Sequence, residues 1–344
     1  MTVRPRVLVC GWSGAGNLGD ELLTEVVISR LRAVGLDPVI RSAAPGVTEA
    51  RHPRVDVVGR GLASLRAALQ VDGVVLGPGG IVQDHTSIWS LPAHVVPALV
   101  VRARRRRVVG IGLGADPLRR RLSRWLLRAA LGGGPIVVRD ERSQAAMAAA
   151  GLDAEIDLDL AWELPASEAD ERVGLTVALG PVAGVGAWRP GRRRLVPDDP
   201  APVVEAIERL HERVGGPLRL VGFRGERDER YAEVLAGHLP AASVVDGAAG
   251  VDAVRGSELV VTSRYHAAVV ALSSGVPVLA DVRQGKLAAL AATPDLAPAI
   301  VGFSTWNDVG ETVPTCDAPV RRTGSAHTDD ALDWVAAGSR SGRR

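Results

Sequence analysis

The chain alternates short runs of Val, Leu, Ile and Cys with amphipathic stretches, and each run ends in a loop rich in glycine or charge. In the first half such runs occupy 7–10, 38–40, 73–76, 108–111 and 136–138. Between the first two, residues 20–31 carry Leu22, Leu23, Val26, Val27 and Leu31 at helical spacing. Short continuous aliphatic runs suit strands covered on both faces, and strands alternating with helices build βαβ units around a parallel sheet. The pattern restarts at 173–179. It continues with strands at 218–221, 243–245, 259–261 and 276–279 and helical segments at 203–214, 226–239 and 267–273. One such series followed by a second, in 344 residues, predicts an α/β protein of two Rossmann-like, doubly wound domains facing across a cleft. The domains are expected at 1–165 and 172–318, with a linker of Pro, Ala, Ser and acidic residues at 164–171. Residues 319–344 read as a polar, partly disordered tail with a short helical candidate at 329–336 and disorder over 339–344.

Composition agrees with this plan and excludes several others. Aromatic residues make up 3%, so the core must be aliphatic. A net charge of +2 gives no electrostatic footprint for nucleic acid. Cys10 falls inside an apolar run and is expected to be a buried thiol; with Cys316 it forms neither a metal pattern nor a disulfide framework. The histidines are scattered without ligand spacing, so no metal site is expected. The first apolar run ends after a few residues at a Gly/Ser loop, which predicts no signal peptide. No stretch approaches the roughly 20 apolar residues a spanning helix needs. The expectation is a cytoplasmic protein.

In doubly wound sheets, ligands bind beyond the carboxyl ends of the strands. The chemically notable residues all follow predicted strands. Gly14-Ala15-Gly16-Asn17-Leu18-Gly19 matches a dinucleotide-binding pattern. NAD is nevertheless rejected, because Asp20 and Glu21 stand where a pyrophosphate needs bare amides and a positive helix end. Asp20 reads either as a helix N-cap or as a base for a sugar hydroxyl, with Glu21 a lesser candidate. The loop Gly77-Pro78-Gly79-Gly80 leads to Gln83, Asp84 and His85, which suit hydroxyl contacts or a solvated turn. Arg139 ends a strand, where its fork can take an anion or pair with Asp140 or Asp159. Ser263-Arg264-Tyr265-His266 sits between a strand and a helix, with an arginine and a proton-transfer group side by side. Lys286 is the only lysine among 41 basic residues. A compact ammonium kept where arginine is otherwise universal suits a small, highly charged anion. Residues 117–131 read as a basic helix with Leu118, Leu122, Trp125, Leu126 and Ala129 on the face docked to the sheet. The competing reading is peripheral contact with an anionic membrane.

Four blocks in order, GAGNLGDE at 14–21, GPGGIVQD at 77–84, VRDERS at 138–143 with 157–161, and SRYHAAVVALSSGVP at 263–277, resemble the polysaccharide pyruvyl transferase family. A lysine beyond the last block belongs to the same resemblance. The resemblance implies a GT-B-like fold and transfer of pyruvyl from phosphoenolpyruvate to two hydroxyls of a sugar, giving a ketal and phosphate. It maps Arg139, Arg264, His266 and Lys286 onto donor binding and catalysis, and the Asp20 loop onto the acceptor side. On that basis Arg264, Lys286 and Arg139 are expected to hold phosphoenolpyruvate, and His266 and Asp20 to act as acid and base. Asn17, Glu21, Gln83 and Asp84 are expected to face the sugar acceptor, whether that sugar is free or lipid-linked. No cofactor beyond the donor substrate is implied. Contact with the inner membrane face and the oligomeric state are left open. The alternative is a GT-B glycosyltransferase using a nucleotide-activated sugar, and a third reading is a non-catalytic sugar-binding protein.

Overall fold

A computed structural model describes residues 4–85, 87–165, 171–181, 200–309, 313–316, 318–320, 322 and 325–341. The chain divides into two compact units, Met1–Glu163 with Arg322–Arg344, and Leu164–Arg321. Residues 166–170 of the expected linker and the final 342–344 lie outside the described residues.

The first unit runs β1 (Arg6–Cys10), α1 (Leu18–Ala33), β2 (Asp37–Ser42), α2 (Pro45–Arg51), β3 (Asp56–Gly59), α3 (Leu62–Ala68) and β4 (Gly73–Leu76). It continues with β5 (Gly79–Val82), α4 (Ser90–Ala103), β6 (Arg107–Ala115), α5 (Arg121–Leu131), β7 (Ile136–Val138), α6 (Glu141–Ala149) and β8 (Glu155–Ile156). The strands pair in parallel in the order β3-β2-β1-β4-β6-β7-β8, with β5 beside the outer half of β6. The second unit runs β9 (Leu175–Ala178), α7 (Ala201–Val214), β10 (Leu218–Val221), α8 (Glu226–Ala236), β11 (Ala242–Val245), α9 (Gly247–Arg255) and β12 (Leu259–Thr262). It ends with α10 (Tyr265–Ser273), β13 (Val278–Asp281), α11 (Gly285–Ala291) and β14 (Ile300–Phe303). Its order is β11-β10-β9-β12-β13-β14, again all parallel. In both sheets the chain first winds one way and then the other. The switch points fall between β1 and β4 and between β9 and β12, where a ligand crevice forms outside the strand ends.

The cores follow from the aliphatic runs. Leu8, Val74 and Val108 of the first sheet, and Leu175, Leu218 and Val261 of the second, are buried. Cys10 is buried as expected, and desolvation pushes its thiol up to about 12 despite the nearby Arg41. No helix among the described residues is long and apolar enough to cross a membrane.

Three sequence expectations need correction. Residues 79–82, read as loop, form β5, because Ile81 and Val82 are buried while the chain pairs with β6. The 319–344 stretch is not a separate tail. Its helix α12 (Ala326–Ser341) belongs to the first unit and extends through 339–341, which had been read as disordered. The helix is held there by burial of Ala331, Leu332, Val335 and Ala336, by Trp334 under Arg107, and by Asp157, which accepts from Thr328 N and Oγ1 at 2.7 Å. The third correction concerns α5. The face turned inward is Ser123, Leu127, Ala130 and Leu131, whereas Leu122 and Trp125 are 63% and 56% exposed. Both stripes have helical spacing. The stripe with serine and alanine seats the helix closely against α4 and β6.

Candidate functional site

At the first switch point the glycine loop after β1 turns back on itself. Gly14, at φ 70°, lies so close to β2 that a Cβ would meet Ser42 Oγ at 2.1 Å. Its N–H donates to Glu21 Oε1 at 2.6 Å. A carboxylate of the chain thus takes up an amide of this loop. Burial raises the Glu21 carboxyl above its ordinary pKa, in spite of the Gly14 N–H and the Arg51 charge. Asn17, not Asp20, is the N-cap of α1, with its side chain accepting from Gly19 N. The Asn17 amide also donates to the Asp20 carboxylate.

Asp20 is therefore a first-turn carboxylate, 8% exposed, held by its neighbour and lying against the β4–β5 turn. A Cβ on Gly79 would come within 2.9 Å of Asp20 Oδ1 and 3.3 Å of Trp12 Cδ1. Gly79 has φ 106°, a conformation that favours glycine. On the next residue, a Cβ on Gly80 would sit 4.0 Å from Arg139 Nη2. Asp20 and Arg139 thus approach two successive residues of β5. Arg139 follows β7, reaches back across Gly114, and pairs loosely with Asp159 at 3.4 Å and Asp140 at 3.7 Å. Its Nε has no hydrogen-bond partner among the described residues.

The remaining first-unit candidates are occupied elsewhere. Gln83 donates to Ser90 Oγ at 2.7 Å. Asp84 is 1% exposed and accepts from Arg119 N at 3.0 Å and Arg120 N at 2.9 Å. Burial alone would raise its carboxyl, but these amides and Ser123 outweigh it and hold the group below the ordinary carboxylate range. Asp84 pins the turn into α5, so its oxygens are spent on backbone rather than offered to a sugar. Two buried groups were missed by sequence reasoning. Arg41, 1% exposed at the end of β2, donates to Ala93 O, while its Nε and Nη1 have no partner among the described residues. His94 packs its ring edgewise 4.7 Å from Trp12, and burial drives its pKa down to about 4.

At the second switch point the charge is reversed. Thr262 Oγ1 accepts from Arg264 N at 2.8 Å, turning the chain out of β12, and Arg264 caps α10. The Arg264 guanidinium is gripped from two sides by Asp228, with Nε to Oδ2 at 2.6 Å and Nη2 to Oδ1. Asp228 is fully buried and also accepts from Arg224 N at 2.9 Å. Across the crevice, Gly180 after β9 leaves room for this pair, since a Cβ there would fall 1.6 Å from Arg264 Nη2. Gly180 N donates to Ser263 Oγ at 3.0 Å, which closes β9 onto β12. Arg227 lies nearby, its pKa lowered by burial and then by the Arg224 and Arg264 charges. The Arg264 guanidinium and the Arg224 backbone thus converge on Asp228, with the Arg227 charge close by. Sequence reasoning found Arg264 but missed Asp228, Arg227 and Arg224, because 226–239 was read only as a helix. The available signal was their position, since Arg224-Gly225-Glu226-Arg227-Asp228 opens just beyond β10, the strand beside β9.

His266 is the second residue of α10, half-buried, with the Tyr265 ring 5.6 Å away. Lys286 is exposed on α11, beyond β13, the strand next to β12. Among the described residues no three His, Cys, Asp or Glu side chains converge as a metal cluster.

A family model described as polysaccharide pyruvyl transferase matches residues 17–280. The match takes in Asn17, Asp20, Arg139, Asp228, Arg264 and His266 and stops short of Lys286. No curated protein matches the sequence. Among solved structures, a glycosyltransferase from Rickettsia africae ESF-5 shares 12% identity over 99% of this chain and 94% of its own, with a TM-score of 0.55. The UDP-GlcNAc 2-epimerase of Methanocaldococcus jannaschii shares 11% over 98% of each chain, with a TM-score of 0.56. That of Neisseria meningitidis, bound to UDP-GlcNAc, shares 10% over 97% and 94%, with a TM-score of 0.54. At such identities the likeness is one of fold, which is GT-B-like.

Proposed function

The chain belongs to the polysaccharide pyruvyl transferase family, and from that premise we propose that it transfers pyruvyl from phosphoenolpyruvate to two hydroxyls of one sugar. The sugar is part of a glycan or glycan precursor. The products are a cyclic pyruvate ketal and phosphate.

The observation that carries the donor assignment is the gathering of arginines at the second switch point. The charges of Arg224 and Arg264 both bear on Arg227 there, and Arg264 is held by Asp228. Phosphoenolpyruvate carries a carboxylate and a phosphate, and fixed cations that need no reorganisation stabilise the charge that moves during its reaction. Asp228 acts as a positioning residue, because it leaves Arg264 one fixed orientation. In the proposed reaction His266 protonates the methylene carbon, leaving an oxocarbenium-like centre at C2. A base takes the proton of the first sugar hydroxyl as it bonds to C2, and Asp20 is the first unit's candidate for that base. The C2–O bond to phosphate then breaks with the leaving group held by Arg264 and Lys286, and the second hydroxyl closes the ketal. One hydroxyl proton balances the new methyl group and the other balances the released phosphate. Arg139 is proposed as a further anion contact of the first unit.

The test is phosphate release from phosphoenolpyruvate across a panel of acceptor glycans, with mass spectrometry of the products. The expected product has gained one pyruvate less one water, and His266→Ala is expected to abolish it. Binding of uridine diphosphate with none of phosphoenolpyruvate would instead favour nucleotide-sugar transfer.

A further inference from the structure

The first unit exposes a cluster of large apolar side chains that its own core does not use. Ile88 and Trp89, just before α4, are 50% and 71% exposed. Leu122 and Trp125 on α5 are 63% and 56% exposed. The two segments are joined. Asp84 fixes the backbone of Arg119 and Arg120, the Arg120 side chain donates to Asp84 O, and α4 packs on α5. The four exposed side chains are therefore carried on segments that are tied to each other.

Its surroundings carry one sign of charge. Residues 117–139 contain no Asp or Glu, while Arg119, Arg120, Arg121, Arg124 and Arg128 fall within them. All but Arg124 are exposed. The nearest acid in sequence, Asp116, is already bound by Arg142 at 2.7 Å and by His85 at 3.8 Å. Tryptophan, leucine and isoleucine rimmed by exposed arginines match a surface that is apolar below and anionic above. Tryptophan rings settle at the headgroup level, and arginines bind the phosphates there.

We propose that α5 and the segment before α4 dock the protein on an anionic phospholipid bilayer, with Trp89 and Trp125 inserted and the α5 arginines on the headgroups. A second copy of the chain fits less well, because a self-complementary contact would set the same arginines against each other. The docking is independent of the transfer chemistry, so it can stand or fall alone.

The experiment is co-sedimentation of the full chain with vesicles of phosphatidylglycerol or of phosphatidylcholine. Binding to phosphatidylglycerol is expected, with little to phosphatidylcholine and loss of binding at high salt. Trp89→Ser with Trp125→Ser, and separately Arg121→Gln with Arg124→Gln, should each weaken binding by roughly tenfold or more. These side chains lie outside the core, and unchanged circular dichroism will show that the variants fold. Brominated lipid should quench tryptophan emission in the parent and less in Trp89→Phe with Trp125→Phe. No binding to phosphatidylglycerol vesicles overturns the proposal, as does binding that the tryptophan variants leave intact. Equal binding to both lipids overturns it too. So does a concentration-dependent dimer that Trp125→Ser abolishes in a chain that ignores vesicles.

Discussion

The two switch points share a topology and differ in charge. In the first unit, β1 and β4 part around Gly14, Gly79 and Gly80, and the side chains drawn in are carboxylates, with Glu21 on the Gly14 amide and Asp20 against Gly79. In the second, β9 and β12 part around Gly180, and the side chain drawn in is the Arg264 guanidinium, held by Asp228. A parallel sheet only decides that a crevice opens beyond its strand ends. What the crevice can hold is decided by whether the loop amides and side chains present negative or positive charge. The carboxylate side suits hydroxyl groups that must lose protons, and the guanidinium side suits a phosphorylated acid.

The strongest way to break this contrast is to remove the carboxylate that grips Arg264. Asp228→Ala leaves Arg264 buried without its partner, which should cost about 3–5 kcal/mol of stability and be read by thermal unfolding. If Asp228→Ala is as stable as the parent, the guanidinium cluster is not organised as described. Acid titration probes the other unit. His94 is buried neutral, with its pKa lowered from 6.5 to about 4. The folded state therefore binds fewer protons than the unfolded state between those values, so stability falls as pH drops from 6.5 toward 4. The loss should approach about 3 kcal/mol, and His94→Gln should flatten that slope in denaturant titrations.

Two carboxylates of the first unit should respond in opposite ways. Asp84 has its pKa lowered, so it contributes stability that is present above its unfolded pKa and lost as pH falls through the folded one. Asp84→Asn replaces an acceptor oxygen facing backbone amides and should cost about 1–3 kcal/mol at neutral pH. Glu21 has its pKa raised, so its ionised form weighs against the folded state above the unfolded pKa. Glu21→Gln keeps an oxygen for Gly14 N and should leave stability at neutral pH unchanged or higher. At Lys286 the expected effect is on turnover and not on stability. Lys286→Arg keeps the charge and loses the compact donor, so kcat/KM for phosphoenolpyruvate should fall roughly tenfold, about 1.4 kcal/mol of transition-state binding. Full activity of Lys286→Arg would leave the lone lysine without a role in the donor site.

The architecture was legible because buried parallel strands write themselves as unbroken aliphatic runs, and the loops that follow them hold the chemistry. Asp20, Arg139, Arg264 and His266 were singled out as candidates by that rule and by the family resemblance. Strands lacking such runs were missed, among them β8, where Glu155 and Ile156 are both exposed. The α12 packing was missed because its buried Ala331, Leu332, Val335 and Ala336 are spread among polar residues and meet strands far away in sequence. Asp228 was missed for a related reason. Its importance lies in a pairing with Arg264 across 36 residues, and nothing local distinguishes it from Glu226 or Glu229. On α5 two apolar stripes competed, and periodicity could not tell which would meet the sheet.

The central claim is that the cationic switch point takes phosphoenolpyruvate. Calorimetric titration of phosphoenolpyruvate into the parent chain and into Arg264→Gln tests it most directly. The account predicts saturable binding by the parent that competes with phosphate and weakens at least about tenfold in the variant, on the scale of one charge-assisted hydrogen bond. Equal binding by the two proteins, with the Arg264→Gln chain folded, would contradict it.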